Sequence, residues 1–156
     1  MAEAKTLLVV GGTGFIGQHL VKKAKEAGCK VTVLSLHTLD QHLRVSDVDY
    51  IVADLSSRSE LGKVLSGKAF SHIVNLGGYV NHSRYKDGGR EILDAHFVGV
   101  QNLVHCLDWA ALKSFVQIGS SDEYGANVAP QNESQRESPI SPYSFAKTST
   151  THFLQM

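Results

Sequence analysis

The run Thr6-Leu7-Leu8-Val9-Val10-Gly11-Gly12-Thr13-Gly14-Phe15-Ile16-Gly17 decides the fold. It opens as an almost continuous apolar stretch, as expected of a strand buried on both faces of a parallel sheet. Apolar residues then return at helical spacing through Phe15, Ile16, Leu20, Val21, Ala24 and Ala27. Gly28 stands where a helix takes its C-terminal cap. A strand therefore passes through a glycine turn directly into a helix. Gly11 permits a turn that a side chain would block. Gly14 lets the backbone approach a phosphate group closely, and Gly17 lets helix and strand pack. The helix N-terminus adds amide donors and the positive end of its dipole. Such a turn, with a strand before it and a helix after it, is expected to hold the pyrophosphate of a dinucleotide.

The alternation continues along the chain. Val31 to Leu36, Tyr50 to Ala53, Ser71 to Leu76 and Phe115 to Ile118 read as further strands, with Asp54 just past the third. Ser57 to Leu65 reads as a short helix, Ser57 being the N-cap and Glu60 completing a capping box. Ile92 to Leu112 carries a long helical pattern through Leu93, Phe97, Val100, Leu103, Val104 and Leu107. The polar stretch Asn127 to Ser141 reads as a surface loop near the mouth of a site. A last helix begins after Pro142. Strands alternating with helices predict an α/β protein with a Rossmann-like, doubly wound parallel sheet in strand order 3-2-1-4-5. One dinucleotide-binding domain over residues 1–156 is expected. Its ligand should lie beyond the carboxyl ends of the strands, where the order reverses.

Composition narrows the function classes. Fifteen basic residues balance fifteen acidic ones in the 156-residue chain, so nothing suggests a surface for nucleic acid or for a membrane. No apolar run is long enough to span a bilayer, and the N-terminus lacks the shape of a signal peptide. A cytoplasmic protein is expected. Cys29 and Cys106 form no CxxC pair and read as free thiols. The eight histidines show no paired ligand spacing, so no metal is expected.

The glycines fall as GxxGxxG, at Gly11, Gly14 and Gly17, and the segment GGTGFIG resembles the extended short-chain dehydrogenase/reductase family of NAD-dependent sugar-nucleotide epimerases and dehydratases. Further segments carry the likeness in family order. Asp54-Leu55 resembles the pair that holds adenine. Asn75-Leu76-Gly77-Gly78 is similar to the small-residue turn beside the cofactor. Gly119-Ser120-Ser121-Asp122-Glu123-Tyr124-Gly125 resembles the segment supplying the catalytic Ser or Thr. Pro142-Tyr143-Ser144-Phe145-Ala146-Lys147 resembles the YxxxK motif. The resemblance implies NAD or NADP held by Gly11, Thr13, Gly14, Phe15, Ile16, Gly17, Ser35, Asp54, Leu55, Leu76, Gly77, Gly78, Tyr143 and Lys147. It also implies catalysis by Ser120, Tyr143 and Lys147 on a nucleotide-linked sugar, through a keto intermediate, and leaves a homodimer open as the assembly.

Tyr143 and Lys147 are one helical turn apart and share a face. A free tyrosine is a poor base near neutral pH, but an adjacent ammonium favours the phenolate. Tyr143 can then exchange a proton with a substrate hydroxyl while hydride moves to or from the cofactor. Ser120 falls at the family's hydroxyl position when counted from Phe115 or back from Tyr124; Ser121 is the alternative. With that shift, Asp122 and Glu123 would serve as acid and base in water elimination; the plainer reading is an exposed acidic turn.

Three departures from the pattern stand out. NAD-preferring members carry an Asp where Ser35 falls, and no Arg for a 2′-phosphate replaces it, so the choice between NAD and NADP stays open, with Ser35 and His37 more tolerant of a phosphate. His96 stands where an Asn is common, either as a changed proton-relay element or as a packed histidine; packing is the expectation. The chain ends at Met156, inside the helix of Tyr143, whereas extended members continue for about another domain length. It is expected to be an N-terminal piece or a truncated product without the substrate-binding part. Two other readings remain: a carbonyl reductase on a non-sugar substrate, and a non-catalytic dinucleotide-binding protein.

Overall fold

The computed structural model describes residues 5–156. In chain order the elements are β1 (Thr6–Val10), α1 (Phe15–Glu26), β2 (Lys30–Ser35), β3 (Asp49–Val52), α2 (Arg58–Leu65), β4 (His72–Asn75), α3 (Gly89–Leu93), α4 (Gly99–His105), β5 (Ser114–Gln117) and α5 (Pro142–Gln155). The strands form one parallel sheet in the order β3-β2-β1-β4-β5, the doubly wound order read from the sequence. Contacts divide the chain into two compact units. One holds the residues up to Gly77 together with Asn102–Ile118; the other holds Gly78–Gln101 and Gly119–Met156.

The first unit contains the whole sheet. Alternate residues of β1 serve its two faces. Leu8 and Val10 join Leu34, Ile73, Leu61 and Leu65 of α2, and Leu103 in one buried cluster. Leu7 and Val9 join Val31, Val33, and Val21 and Ala24 of α1 in the other. Helices thus cover both faces, which is why residues 7–10 of β1 are apolar at every position and residues 31–34 of β2 at all but Thr32. Gly28, at φ +79°, ends α1 as a left-handed cap whose amide donates to Lys25 O. At α2, Ser57 Oγ accepts from Glu60 N at 3.4 Å. The Glu60 carboxylate does not return to Ser57; it accepts from Asp54 N at 3.0 Å and fixes the turn before the helix.

The second unit is built on α5, with Ser141 as N-cap and Pro142 in the first turn. A 3-10 turn at Ser121–Tyr124 and the stretch from Gly89 to Val98 pack on it. No helix or strand interrupts residues 126–141, as the polar composition predicted.

The expected helix Ile92–Leu112 is corrected at both ends and in the middle. It starts at Gly89, opens into a π-helical turn at Asp94–Val98 and ends at His105. Cys106 N is shared by the carbonyls of Asn102 and Leu103, which tightens the last turn, and the Trp109 indole N–H closes it on Val104 O. Leu107 and Leu112 still pack on the core from irregular backbone. Periodicity had therefore counted buried positions, not helical ones.

No helix among the described residues is long and apolar enough to cross a membrane. None of their His, Cys, Asp and Glu side chains gather in groups of three or more that could hold a metal ion.

Candidate active site

In the sheet unit the glycine turn lies where β1 ends. Gly11 adopts φ +74°, and its amide donates to Leu34 O at 2.8 Å. A side chain on Gly17 would press into the backbone of Gly12, with Cα only 2.6 Å away, so that glycine is demanded by the turn itself. Gly14 is different. Its φ is −75°, and an added Cβ would meet nothing closer than Gly11 O at 3.4 Å. Nothing among the described residues requires Gly14 to lack a side chain, and it is exposed.

Gly14 is also the N-cap of α1 without any side-chain cap, and the first turn of α1 carries no acidic residue. The opening amides of a helix have no intrahelical acceptor. The turn therefore offers N–H groups, a favourable dipole and open space, the features an anionic ligand uses. Thr13 is held by its carbonyl, which accepts from Gln18 Nε2 at 2.8 Å. Phe15 and Ile16 are 84% and 60% exposed, although they lead an amphipathic helix.

The other expected cofactor contacts of this unit end neighbouring strands. Leu76 N donates to Val10 O, and Gly77 N to Asn75 Oδ1. Leu55 packs so close to Gly77 that an added Cβ there would lie 3.2 Å from Leu55 Cδ1. Asp54 Oδ1 accepts from Ser56 N. Asn102, which sequence reasoning passed over as a polar helical position, donates to the carbonyls of Leu55 and Ser56 at 3.0 and 3.1 Å. Ser35 is buried, and its hydroxyl donates to His37 O at 2.8 Å.

The second unit collects Gly78 and the residues expected to move protons. Tyr143 and Lys147 lie one turn apart on α5 and are 7% and 6% exposed. The Tyr143 ring meets two imidazoles edge-on, those of His96 at 5.1 Å and His82 at 5.5 Å between centroids. His96 is buried, and its Nε2 lies 2.8 Å from Tyr79 O and 3.2 Å from Tyr79 N. Its ring fills the space beside Gly78, where a Cβ would come within 2.6 Å of Nδ1. Burial pushes the His96 imidazole below its ordinary pKa, with a smaller contribution from Lys147 that a hydrogen bond to Tyr79 opposes. Burial likewise lowers the Lys147 ammonium, and the charge of Glu123 works against that shift.

Ser120 Oγ accepts from Asp122 N at 3.2 Å and starts the 3-10 turn; Ser121 is exposed. The acidic turn is not uniformly exposed, as its plainer reading supposed. Asp122 Oδ2 stands 3.6 Å from His82 Nε2, while Glu123 is 6% exposed and fully engaged. Its Oε1 accepts from Ser120 N and its Oε2 from Thr151 Oγ1, each at 2.8 Å. His82, beside the Tyr143 ring, is the neighbour that the sequence did not reveal, and Glu123, read there only as a possible base or an exposed residue, has partners that lie in other segments.

The chain is similar to known proteins in sequence and in fold. UDP-glucose 4-epimerase 3 of Oryza sativa subsp. japonica is 26% identical over 155 residues, covering 91% of this chain and 42% of its own length. A crystal structure of UDP-galactose 4-epimerase superposes with a TM-score of 0.80 at 26% identity, over 95% of this chain and 50% of that one. MoeE5 in complex with UDP-glucuronic acid and NAD gives 0.79 at 25% identity, over 94% and 47%. The chain thus spans about half the length of the curated relatives it matches. The model of the NAD dependent epimerase/dehydratase family matches residues 7–156, and the chain belongs to that family.

Proposed function

We propose that residues 1–156 form the NAD(P)-binding part of a cytoplasmic oxidoreductase of the epimerase/dehydratase type. Its substrate is a nucleotide sugar, processed through a keto intermediate. The observation that carries this reading is the burial of Tyr143 and Lys147 one turn apart on α5, at 7% and 6% exposure. Two polar side chains on one buried face are costly unless the site uses them. Family membership and relatives whose names specify UDP-sugars support the substrate class.

The residues fit a dinucleotide. The open position at Gly14 and the uncapped amides of α1 suit a pyrophosphate. Asp54 and Leu55 suit the adenine end, and Leu76, Gly77 and Gly78 the small-residue turn. When bound, the cofactor accepts and returns hydride. The chain's own part is proton handling. Lys147 brings a positive charge to the face of α5 that carries Tyr143, stabilising a developing phenolate. Tyr143 then takes the proton of a substrate hydroxyl and returns it in the reverse step. Ser120 already accepts from Asp122 N, which leaves its own proton for donation to the reacting oxygen.

The test is incubation of the purified protein with NAD or NADP and UDP-glucose, UDP-galactose or UDP-glucuronic acid, with product analysis by mass spectrometry and NMR. Conversion that disappears in Tyr143→Phe supports the reading. Dinucleotide binding without conversion of any sugar would leave a binding protein, and no dinucleotide binding at all overturns the proposal.

A further inference from the structure

Glu123 is a buried carboxylate with no part in the proton steps above. It sits in a short 3-10 turn, yet its hydrogen bonds leave that turn in two directions. Oε1 takes the backbone N–H of Ser120, and Oε2 takes the hydroxyl of Thr151, one turn beyond Lys147 on α5. A Cβ on Gly119 would lie 2.9 Å from Oε1, so the carboxylate occupies room that only a glycine leaves. Both partners are donors. An amide in its place could accept from the Ser120 N–H and donate to the Thr151 hydroxyl, so it would keep both bonds and lose only the charge. What the carboxylate adds over an amide is its charge, and a buried carboxylate is costly without a nearby cation.

We propose that Glu123 is a positioning residue: its carboxylate ties Ser120 to α5 and supplies a counter-charge to buried Lys147. The inference rests on the Ser120, Tyr143 and Lys147 reading and adds what sets their relation. The negative charge described as acting on Lys147 is that of Glu123 from the 3-10 turn, and the ammonium in turn acts on His96 from the π-helical turn. Burial pulls the ammonium down and Glu123 pulls it back. Losing the charge therefore lets burial act unopposed by it.

The experiment uses protein labelled with ¹³C at lysine Cε, with the Lys147 resonance assigned through Lys147→Arg. In Glu123→Gln the Lys147 midpoint is expected to fall by about one pH unit, the scale of a removed neighbouring charge. A folded Glu123→Gln protein with an unchanged midpoint overturns the counter-charge. Thr151→Val keeps the charge and removes one donor. There the Ser120 amide should exchange with solvent roughly tenfold faster, the effect of losing about 1.4 kcal/mol of local protection. Unchanged exchange in folded Thr151→Val overturns the tether, and this arm decides the matter if Glu123→Gln does not fold. Neither readout needs turnover, so failure of the proposed activity and failure of this inference are separate results.

Discussion

The imidazole of His96 stands edge-on to the phenol ring of Tyr143, with centroids 5.1 Å apart and planes at 86°. The contact is anchored from both sides. The His96 ring is held at the backbone of Tyr79, and the His96 carbonyl accepts from Thr150 Oγ1 at 2.9 Å, on the same helix as Tyr143. The π-helical turn at Asp94–Val98 widens the backbone where this carbonyl is used. A packed histidine was expected here, and packing is what these contacts describe. The packing nevertheless involves a ring that can take a proton.

That ring makes stability depend on acid. His96 is held below its ordinary value of 6.5, chiefly by burial, so on acidification the unfolded chain takes the proton first. The contribution of His96 is complete above about pH 6.5 and declines as pH falls toward the folded-state value. Denaturant titrations of wild type and His96→Asn between pH 7 and pH 5 should show a steeper loss in wild type. Parallel curves would assign the acid sensitivity to other groups.

The glycine turn separates two kinds of glycine. Gly14→Val meets no obstacle among the described residues closer than 3.4 Å at its Cβ, so the variant should fold normally. Its side chain should block approach of the pyrophosphate and weaken NAD(P) binding by more than about tenfold. Gly17→Val instead drives a side chain into the backbone of Gly12 and should lose stability by several kcal/mol, the scale of severe overpacking. Calorimetry of dinucleotide binding and thermal melts of both variants check the contrast. Equal affinity in Gly14→Val would remove the turn from the binding site.

Most of the fold was legible because the central strands have water on neither face. Leu7 to Val10 and Val31 to Leu34 are apolar at every position but Thr32, and such runs admit few alternatives. Strand order followed from the handedness of the connections. What stayed hidden depends on distant partners. Leu107 and Leu112 look helical because they are apolar and pack half-buried on the core, although their backbone is not helical. Ser121-Asp122-Glu123 looks like an exposed acidic turn, and nothing local reveals that Glu123 reaches Thr151, 28 positions further on. His82 looks like one more loop residue, yet it stands on the ring of Tyr143.

Cofactor choice should be movable at one position. Ser35 ends β2, and its hydroxyl is satisfied by His37 O, so it presents no charge. Ser35→Asp would add a carboxylate that accepts from ribose hydroxyls and repels a 2′-phosphate. The ratio of NADP to NAD dissociation constants should rise by roughly tenfold, the value of about 1.4 kcal/mol. Wild-type protein already strongly selective for NAD would contradict the premise.

The proton-handling set can be dissected by substitutions that spare its packing. Tyr143→Phe keeps both edge-on contacts with His82 and His96 and removes only the hydroxyl. The variant should fold, bind dinucleotide and convert nucleotide sugar about 10²-fold or more slowly, the usual scale for a positioned acid–base group. Lys147→Met should slow turnover and also weaken dinucleotide binding, since the family resemblance places this lysine among the residues that would hold the cofactor. The serines should separate in two independent ways. Ser120→Ala removes the acceptor of Asp122 N and should cost about 1 kcal/mol of stability, as a lost cap does, together with a large loss of rate. Ser121 is exposed and makes no such bond among the described contacts, so Ser121→Ala should leave stability unchanged and cost little activity. Melting curves and steady-state rates on the four variants decide the assignment. Greater loss of rate in Ser121→Ala than in Ser120→Ala would move the reacting hydroxyl to Ser121. Full turnover by Tyr143→Phe would remove this tyrosine from the chemistry and leave a dinucleotide-binding fold.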